Sequence, residues 1–146
     1  MNHKKIKDIR EDNDIYQKEI SSALGISQQT YSMWENGTKI IPLKHLNSLC
    51  NFYNISMDYA LDLSNTNSNI IIKKINILNK KEIGSRIKKI RNENNLTTRD
   101  LANELNTTPS TISAYENGKT LILTAFAYQI CKKYNVSLDW LCGRNK

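Results

Sequence analysis

Two adjacent side-chain amides, Gln28 and Gln29, stand where a short helix should begin. An amide donates and accepts at once, so one Gln can pair with two atoms on the edge of an adenine, worth about 1–3 kcal/mol of discrimination. The pair belongs to residues 27–37, S-Q-Q-T-Y-S-M-W-E-N-G; residues 108–118, 81 positions later, read T-P-S-T-I-S-A-Y-E-N-G and align without a gap. Ser27 and Thr108 are good N-caps, Pro109 suits a first helical position, and each Asn-Gly can end a helix in left-handed backbone. About three turns of helix are expected in between. Helical spacing puts Tyr31 and Trp34 (Ile112 and Tyr115) on one face, and Gln28, Gln29, Ser32 and Met33 (Pro109, Ser110, Ser113 and Ala114) on the other. An apolar inner face under a small or amide-bearing outer face suits the major groove of a duplex.

Other chemistries find no residues. His3 and His45 are isolated, with no Cys, Asp or Glu at ligand spacing, so no metal is expected. Neither His has a nucleophile and an orienting group beside it, and the five glycines are scattered without forming a phosphate-cradling loop. No enzyme activity and no cofactor are expected. Three cysteines with no Cys-x-x-Cys argue against a disulfide framework or a zinc site. Cys50 and Cys131, again 81 apart, fit core thiols; for Cys142 a bland role is the expectation, with an exposed, oxidisable thiol as the alternative. No apolar run is long enough for a membrane span, and Asp8, Glu11 and Asp12 interrupt any signal-peptide core. A cytoplasmic, nucleoid-associated location is the expectation.

The net charge of +7 is unevenly placed. Residues 1–63 carry seven Lys/Arg and eight Asp/Glu, a net of −1, whereas residues 64–146 carry fourteen and six, a net of +8. A basic half fits a polyanion binder, since phosphate contacts supply most non-specific affinity. RNA fits the charge too, but the aromatic residues fall at core spacing and offer no stacking platform.

The elements that must position the two stretches repeat with them. Residues 6–63 match 87–144 in register, including Ile6/Ile87, Ile9/Ile90, Arg10/Arg91, Leu24/Leu105, Glu35/Glu116, Tyr53/Tyr134 and Asp58/Asp139. Two copies of a unit of about 60 residues follow, each near the lower size limit for an independent core, so the copies are expected to lean on each other. The expected division is a first domain over 1–63, a linker over 64–81 and a second domain over 82–146.

In the first copy, helix 1 should cover 3–12 with Ile6 and Ile9 inward. Helix 2 should cover 17–24 with Ile20, Ala23 and Leu24 inward. Gly25 turns the chain into helix 3, as Asn106 does in the second copy. Thr97 with Asp100 makes a capping-box-like start, whereas Tyr16 is a poor cap and should let helix 2 of the first copy fray. Helix 4 should cover 43–53 and 124–134, with Leu46, Leu49, Cys50 and Tyr53 repeated as Ala127, Ile130, Cys131 and Tyr134. A short fifth helix starts at Ser56 or Ser137, each followed by an acid near the positive helix end. Between the copies, 64–69 is a polar loop and 70–78 is apolar, a strand by its β-branching or a helix bearing Ile71, Ile75 and Leu78. Residues 80–94 then form helix 1 of the second copy.

Each copy resembles the Cro/C1-type (XRE-like) helix-turn-helix domain of phage repressors and bacterial regulators. In the second copy the resemblance is carried by Leu96-Thr97-Thr98-Arg99-Asp100-Leu101-Ala102, Leu105-Asn106-Thr107-Thr108, Thr111-Ile112-Ser113-Ala114-Tyr115-Glu116-Asn117-Gly118-Lys119 and Val136-Ser137-Leu138-Asp139-Trp140-Leu141. In the first it rests on Gln17, Glu19, Ile20, Leu24-Gly25-Ile26-Ser27, Gln28-Gln29 and Trp34-Glu35-Asn36-Gly37. It covers nearly all of the chain outside 64–81. It implies an all-α fold of two five-helix, lambda-repressor-like domains in tandem, joined by a partly apolar linker. It also implies a transcriptional regulator, in the sense of a repressor, whose partner is double-stranded DNA and whose third helices lie in the major groove.

Carried over by position, Gln28, Gln29, Met33, Pro109, Ser110 and Ala114 would face base edges. Gln17, Ser27, Asn36, Thr38 and Lys39, with Thr98, Thr108, Asn117, Lys119 and Thr120, would meet phosphates, which position a protein without specifying sequence. The resemblance further implies structural salt bridges between Arg10 and Glu35 and between Arg91 and Glu116. Pro109 offers no donor and Ala114 at most touches a thymine methyl, so the first copy is the better reader of sequence and the second the better holder of phosphate. Two arrangements follow. One chain spans two unlike half-sites, since the 17 residues 65–81 reach about 56 Å when extended at roughly 3.3 Å each; a homodimer is equally compatible with that linker. Alternatively the first copy is a dimerisation or partner-binding module and only the second holds DNA.

Overall fold

The computed structural model describes residues 1–64 and 73–145. Among the described residues the regular elements are all helical: α1 (Lys4–Asp12), α2 (Gln17–Leu24), α3 (Gln28–Glu35), α4 (Leu43–Tyr53) and α5 (Met57–Ala60) in the first copy, then α6 (Lys80–Glu93), α7 (Thr98–Leu105), α8 (Pro109–Glu116), α9 (Thr124–Tyr134) and α10 (Leu138–Leu141) in the second. Local chemistry sets most of the boundaries. The hydroxyls of Ser27, Thr108, Ser56 and Ser137 each accept a backbone N–H of the first turn of the helix they open. Gly25 (φ 69°) and Asn106 (φ 60°) close α2 and α7 in left-handed backbone. One buried cluster runs through both copies, from Ile6, Ile20, Tyr31, Leu46 and Met57 to Ile87, Leu101, Ile112, Ile130 and Leu138.

The copies are joined at their shortest helices. Asp139 at the start of α10 accepts from the backbone N–H groups of Met57 and Asp58 in α5, both at 2.9 Å. Asp58 in turn accepts from Leu138 N–H at 2.7 Å and from the Ser137 hydroxyl at 2.5 Å. Residues 81 positions apart therefore exchange roles across an approximate two-fold axis. Arg144 is 1% exposed and bonds Asp139 (3.0 Å), Asn47 (2.6 Å), Asn51 (2.7 Å) and the Ile55 carbonyl (3.1 Å). Thr124 donates its hydroxyl to the Ile41 carbonyl at 2.6 Å.

Several expectations need correction. The two acids that follow Ser56 and Ser137 stand in the first turn of their own helices as expected, but their hydrogen bonds go to the other copy's helix. Helices α3 and α8 have eight residues, a little over two turns at 3.6 residues per turn, because Asn36 and Asn117 are already the C-caps, their N–H groups closing the last helical bonds to the Ser32 and Ser113 carbonyls. Ala23 is exposed and Ser21 is buried: at about 100° per residue Leu24 and Ser21 lie to one side of Ile20 and Ala23 to the other, and Ser21 takes the place filled by Ala102. Tyr16 brings no side-chain cap, but Glu19 reaches back to the Tyr16 N–H at 3.2 Å, half of a capping box. Cys142 is buried like Cys50 and Cys131, and burial pushes its thiol well up. In the apolar connection, Ile70 and Ile71 lie outside the described residues, as does most of the polar loop. Residues 73–79 form neither helix nor strand; the Ile75 carbonyl accepts from Asn47 and Asn51 at 2.6 and 2.9 Å, and Leu78 is buried.

Two outcomes test this packing. A Cβ built on Gly84 in α6 would lie 2.2 Å from the Tyr115 carbonyl oxygen of α8. Gly84→Ala should therefore cost about 1–3 kcal/mol of overpacking, read as a lowered urea midpoint; an unchanged midpoint would mean that α6 and α8 are not this close. The Asp58 carboxyl is pushed up to about 6, chiefly by burial, with the Ser137 hydrogen bond pulling down and neighbouring Asp139 pushing up. An unfolded Asp titrates near 3.9, so the native state holds the Asp58 proton more tightly. That contribution to stability is full below about 3.9 and is lost as pH rises through about 6. Relative to Asp58→Asn, the wild-type chain should gain unfolding free energy between pH 7 and pH 4.5; a constant difference would contradict the shift.

Candidate nucleic-acid interface

The outer face of α3 exists because its inner face is fully committed. Tyr31 (0% exposed), Trp34 (3%) and Glu35 (6%) point into the core. Trp34 packs edge-on to Tyr31 at 5.8 Å and beside His45 at 5.4 Å between centroids. Gln28 and Gln29 are then exposed, and Ser32 and Met33 half-buried. With Gln17, Asn36 and Thr38 these four line one shallow depression of about 520 Å³. The structure thus brings together the three base-facing candidates of the first copy and three of its phosphate candidates.

A largely buried charge pair ties α1 to α3 and α6 to α8. Arg10 from α1 meets Glu35 at the end of α3, with Nε 2.9 Å from Oε2 and Nη2 3.0 Å from Oε1, while Nη1 donates to the Ile15 carbonyl at 2.8 Å. The second copy repeats the arrangement with Arg91 and Glu116 (2.8 and 3.0 Å) and the Leu96 carbonyl (2.9 Å). Hydrogen bonding to the glutamate raises both arginine pKa values above the ordinary range. Gln17 joins the first pair through a 3.4 Å bond to Glu35, so this residue at the start of α2 is oriented by the same bridge.

The loops after the recognition helices are held from within. The Asn36 side-chain oxygen accepts from the Thr38 N–H and hydroxyl at 2.9 and 2.5 Å, which leaves the amide NH₂ as its outward donor. Lys39 N–H returns to the Met33 carbonyl at 3.1 Å, and Lys119 N–H to that of Ala114 at 2.9 Å. Both lysine side chains are exposed, as are Pro109, Ser110, Asn117 and Thr120; Thr98 and Ala114 are half-buried. The hydroxyls of Ser27 and Thr108 accept a helix N–H and are also bonded to Thr30 and Thr111 at 2.9 Å, so these two residues are engaged in capping.

Lys81 belongs beside the second loop and was missed by the motif match. Helix α6 starts at Lys80 because the Asn79 side chain caps Lys81 and Glu82 N–H at 3.1 Å. That start lays the backbone and stem of Lys81 against Gly118. The signal was present as an Asn followed three residues on by Glu, a capping pattern. In the first copy the corresponding glycine, Gly37, is met instead by the His3 ring. Among the described residues no three His, Cys, Asp or Glu are grouped to hold a metal, and no helix is long and apolar enough to cross a membrane.

Comparison with known proteins adds three findings. A helix-turn-helix family model matches residues 6–59, and a second helix-turn-helix domain model matches residues 84–144. The cryptic phage CTXphi transcriptional repressor RstR of Vibrio cholerae is 32% identical over 63 residues, which are 43% of this chain and 57% of that protein. The match thus spans little more than half of that relative's length. No solved structure matches the chain.

Removing the Arg10 guanidinium leaves Glu35, 6% exposed, without its partner. Loss of one member of a buried pair costs about 3–5 kcal/mol, and Arg10→Ala should lower the unfolding free energy by that order with no DNA present, read as a lower urea midpoint. Near-native stability would instead free Arg10 for a direct role in binding.

Proposed function

The chain belongs to the Cro/C1-type (XRE) helix-turn-helix family, and from that premise we propose that it is a sequence-specific repressor of transcription in which one chain supplies two recognition helices, α3 and α8. The carrying observation is the pair of exposed amides, Gln28 and Gln29, on the one face of α3 that the core leaves open. Their donors and acceptors match the adenine edge in the major groove. Met33 and Ala114 add apolar contact for thymine methyls, and Ser110 a hydroxyl tolerant of any base. Pro109 contributes shape without a donor. Around them Gln17, Asn36, Thr38, Lys39, Thr98, Asn117, Lys119 and Thr120 supply phosphate contacts, joined by the helix starts at Ser27 and Thr108, where backbone N–H groups favour an anion.

The second half carries the basic excess, a net of +8 over 64–146 against −1 over 1–63. This reading therefore assigns most of the salt-dependent affinity to the second copy and most of the discrimination to the first. Occupying its site would repress by excluding other proteins from the same DNA.

In a binding selection from genome fragments with the intact chain, the wild type should yield a motif with two unlike halves. The variant Gln28→Ala/Gln29→Ala should relax preference in one half and weaken binding about tenfold or more, at 1–3 kcal/mol per lost bidentate contact. An unchanged motif would assign the first copy to association or partner binding and leave base contact to the second.

A further inference from the structure

The approximate two-fold relation between the copies is broken at one place. Arg144 of the second copy fills a seat made by Asn47, Asn51 and the Ile55 carbonyl of the first. Shifting each residue by 81 gives the seat on the other side of the axis, where the three members that act through side chains change character. Arg144 becomes Leu63, Asn47 becomes Tyr128, Asn51 becomes Lys132 and Ile55 becomes Val136. In the structure Leu63, Tyr128, Lys132 and Val136 do lie together, beside Asp58 and Ser137, around an open depression of about 360 Å³. The relation therefore holds in space, and only one of the two seats carries a guanidinium with amide acceptors around it.

Pairing like copies in the same geometry has a defined chemical outcome. Two second copies would set each Arg144 against a Tyr128 phenol and a Lys132 ammonium, removing two amide oxygens and bringing two cations together. Two first copies would set Leu63 against Asn47, which is 1% exposed, and Asn51. Their side-chain oxygens would then be buried without a donor, an arrangement proteins avoid. The Thr124 hydroxyl on the Ile41 carbonyl would likewise become Leu43 in a pair of first copies. Only a first copy with a second copy satisfies every group.

We propose that Arg144, Asn47 and Asn51 form a pairing code by which a first copy accepts only a second copy, so that the surface on which a dimer of like units would form is occupied by the chain itself. A specific interface often combines a favourable pair with a penalty on the wrong partner, and here one residue supplies both. The partner is the second half of the same chain, delivered by a connection whose Ile75 carbonyl is bound by the same two asparagines and whose Lys73 N–H bonds the Arg144 carbonyl at 2.7 Å. The free protein is then a single chain with the symmetry of a dimer. Its consequence for DNA, one chain on a site with unlike halves, rests on the function proposed above.

The test is the solution mass of the full chain, free of DNA, by sedimentation from nanomolar to high micromolar concentration. The wild type should keep the mass of one chain throughout. Asn51→Lys places a cation against Arg144 and so charges the first copy's seat as the second copy's is charged. This variant should lose the intrachain pair and change its sedimentation, by expanding or by associating, with far-ultraviolet circular dichroism confirming retained helix, whereas Asn51→Asp, which keeps an acceptor for Arg144, should sediment as the wild type does. A wild type that dimerises across the range, or an Asn51→Lys chain that sediments unchanged, would overturn the proposal. Because no DNA is present, failure of the DNA-reading proposal leaves this result unaffected.

Discussion

Four donors at the starts of two very short helices need acceptors, and each finds one on the other copy. Helices α5 and α10 have four residues apiece, so nearly all of their N–H groups lack an intrahelical partner and neither helix would persist alone. Asp139 takes the N–H groups of Met57 and Asp58; Asp58 takes the Leu138 N–H and the Ser137 hydroxyl. The carboxylates sit at positive helix ends, where negative charge is favoured, but they arrive from across the interface. This exchange makes folding of each copy's last helix conditional on the other copy. Each unit of about 60 residues is marginal on its own, and the buried cluster spans both.

From that joint outward, the structure is a chain of supports ending at the recognition helices. Helix α2 packs on α4, Tyr134 of α9 bonds Glu104 of α7, and α1 and α6 lock α3 and α8 through the Arg–Glu pairs. The pairs lie at the inner end of each recognition helix, so they leave Gln28 and Gln29 outside while fixing the angle at which those amides are offered. The second copy carries an extra turn on α6, which sets Lys81 beside the loop that holds Lys119. The basic excess of the second half is thus matched by an added lysine beside that loop.

What was legible in the sequence was local. The repeat, the N-caps Ser27, Thr108, Ser56 and Ser137, the turns at Gly25 and Asn106 and the bounds of α4 and α9 all follow from neighbours a few residues apart. The Arg10–Glu35 and Arg91–Glu116 pairs were legible only through the family resemblance, because nothing within a local window links positions 25 apart. The roles of Asp58, Asp139 and Arg144 were not legible, since their partners lie 79–97 positions away. An acid after a Ser cap looks the same whether it serves its own helix or another. Ala23 misled because alanine is apolar enough to fit a core pattern and small enough to need no burial. Cys142 was ambiguous because its burial depends on the turn at Gly143 that brings Arg144 inward.

The central claim, that the two copies are one rigid unit, is tested most directly by a distance measurement in the free protein. Spin labels on cysteines replacing Ser22 and Asn103, exposed positions 81 apart in α2 and α7, would report the separation of the copies. The three native thiols are buried, so labelling would be confined to the new sites. One narrow distance, unchanged on dilution, is the result expected if the Asp58 and Asp139 exchange joins the copies. A broad distribution would contradict it and leave two helix-turn-helix units moving independently on a tether.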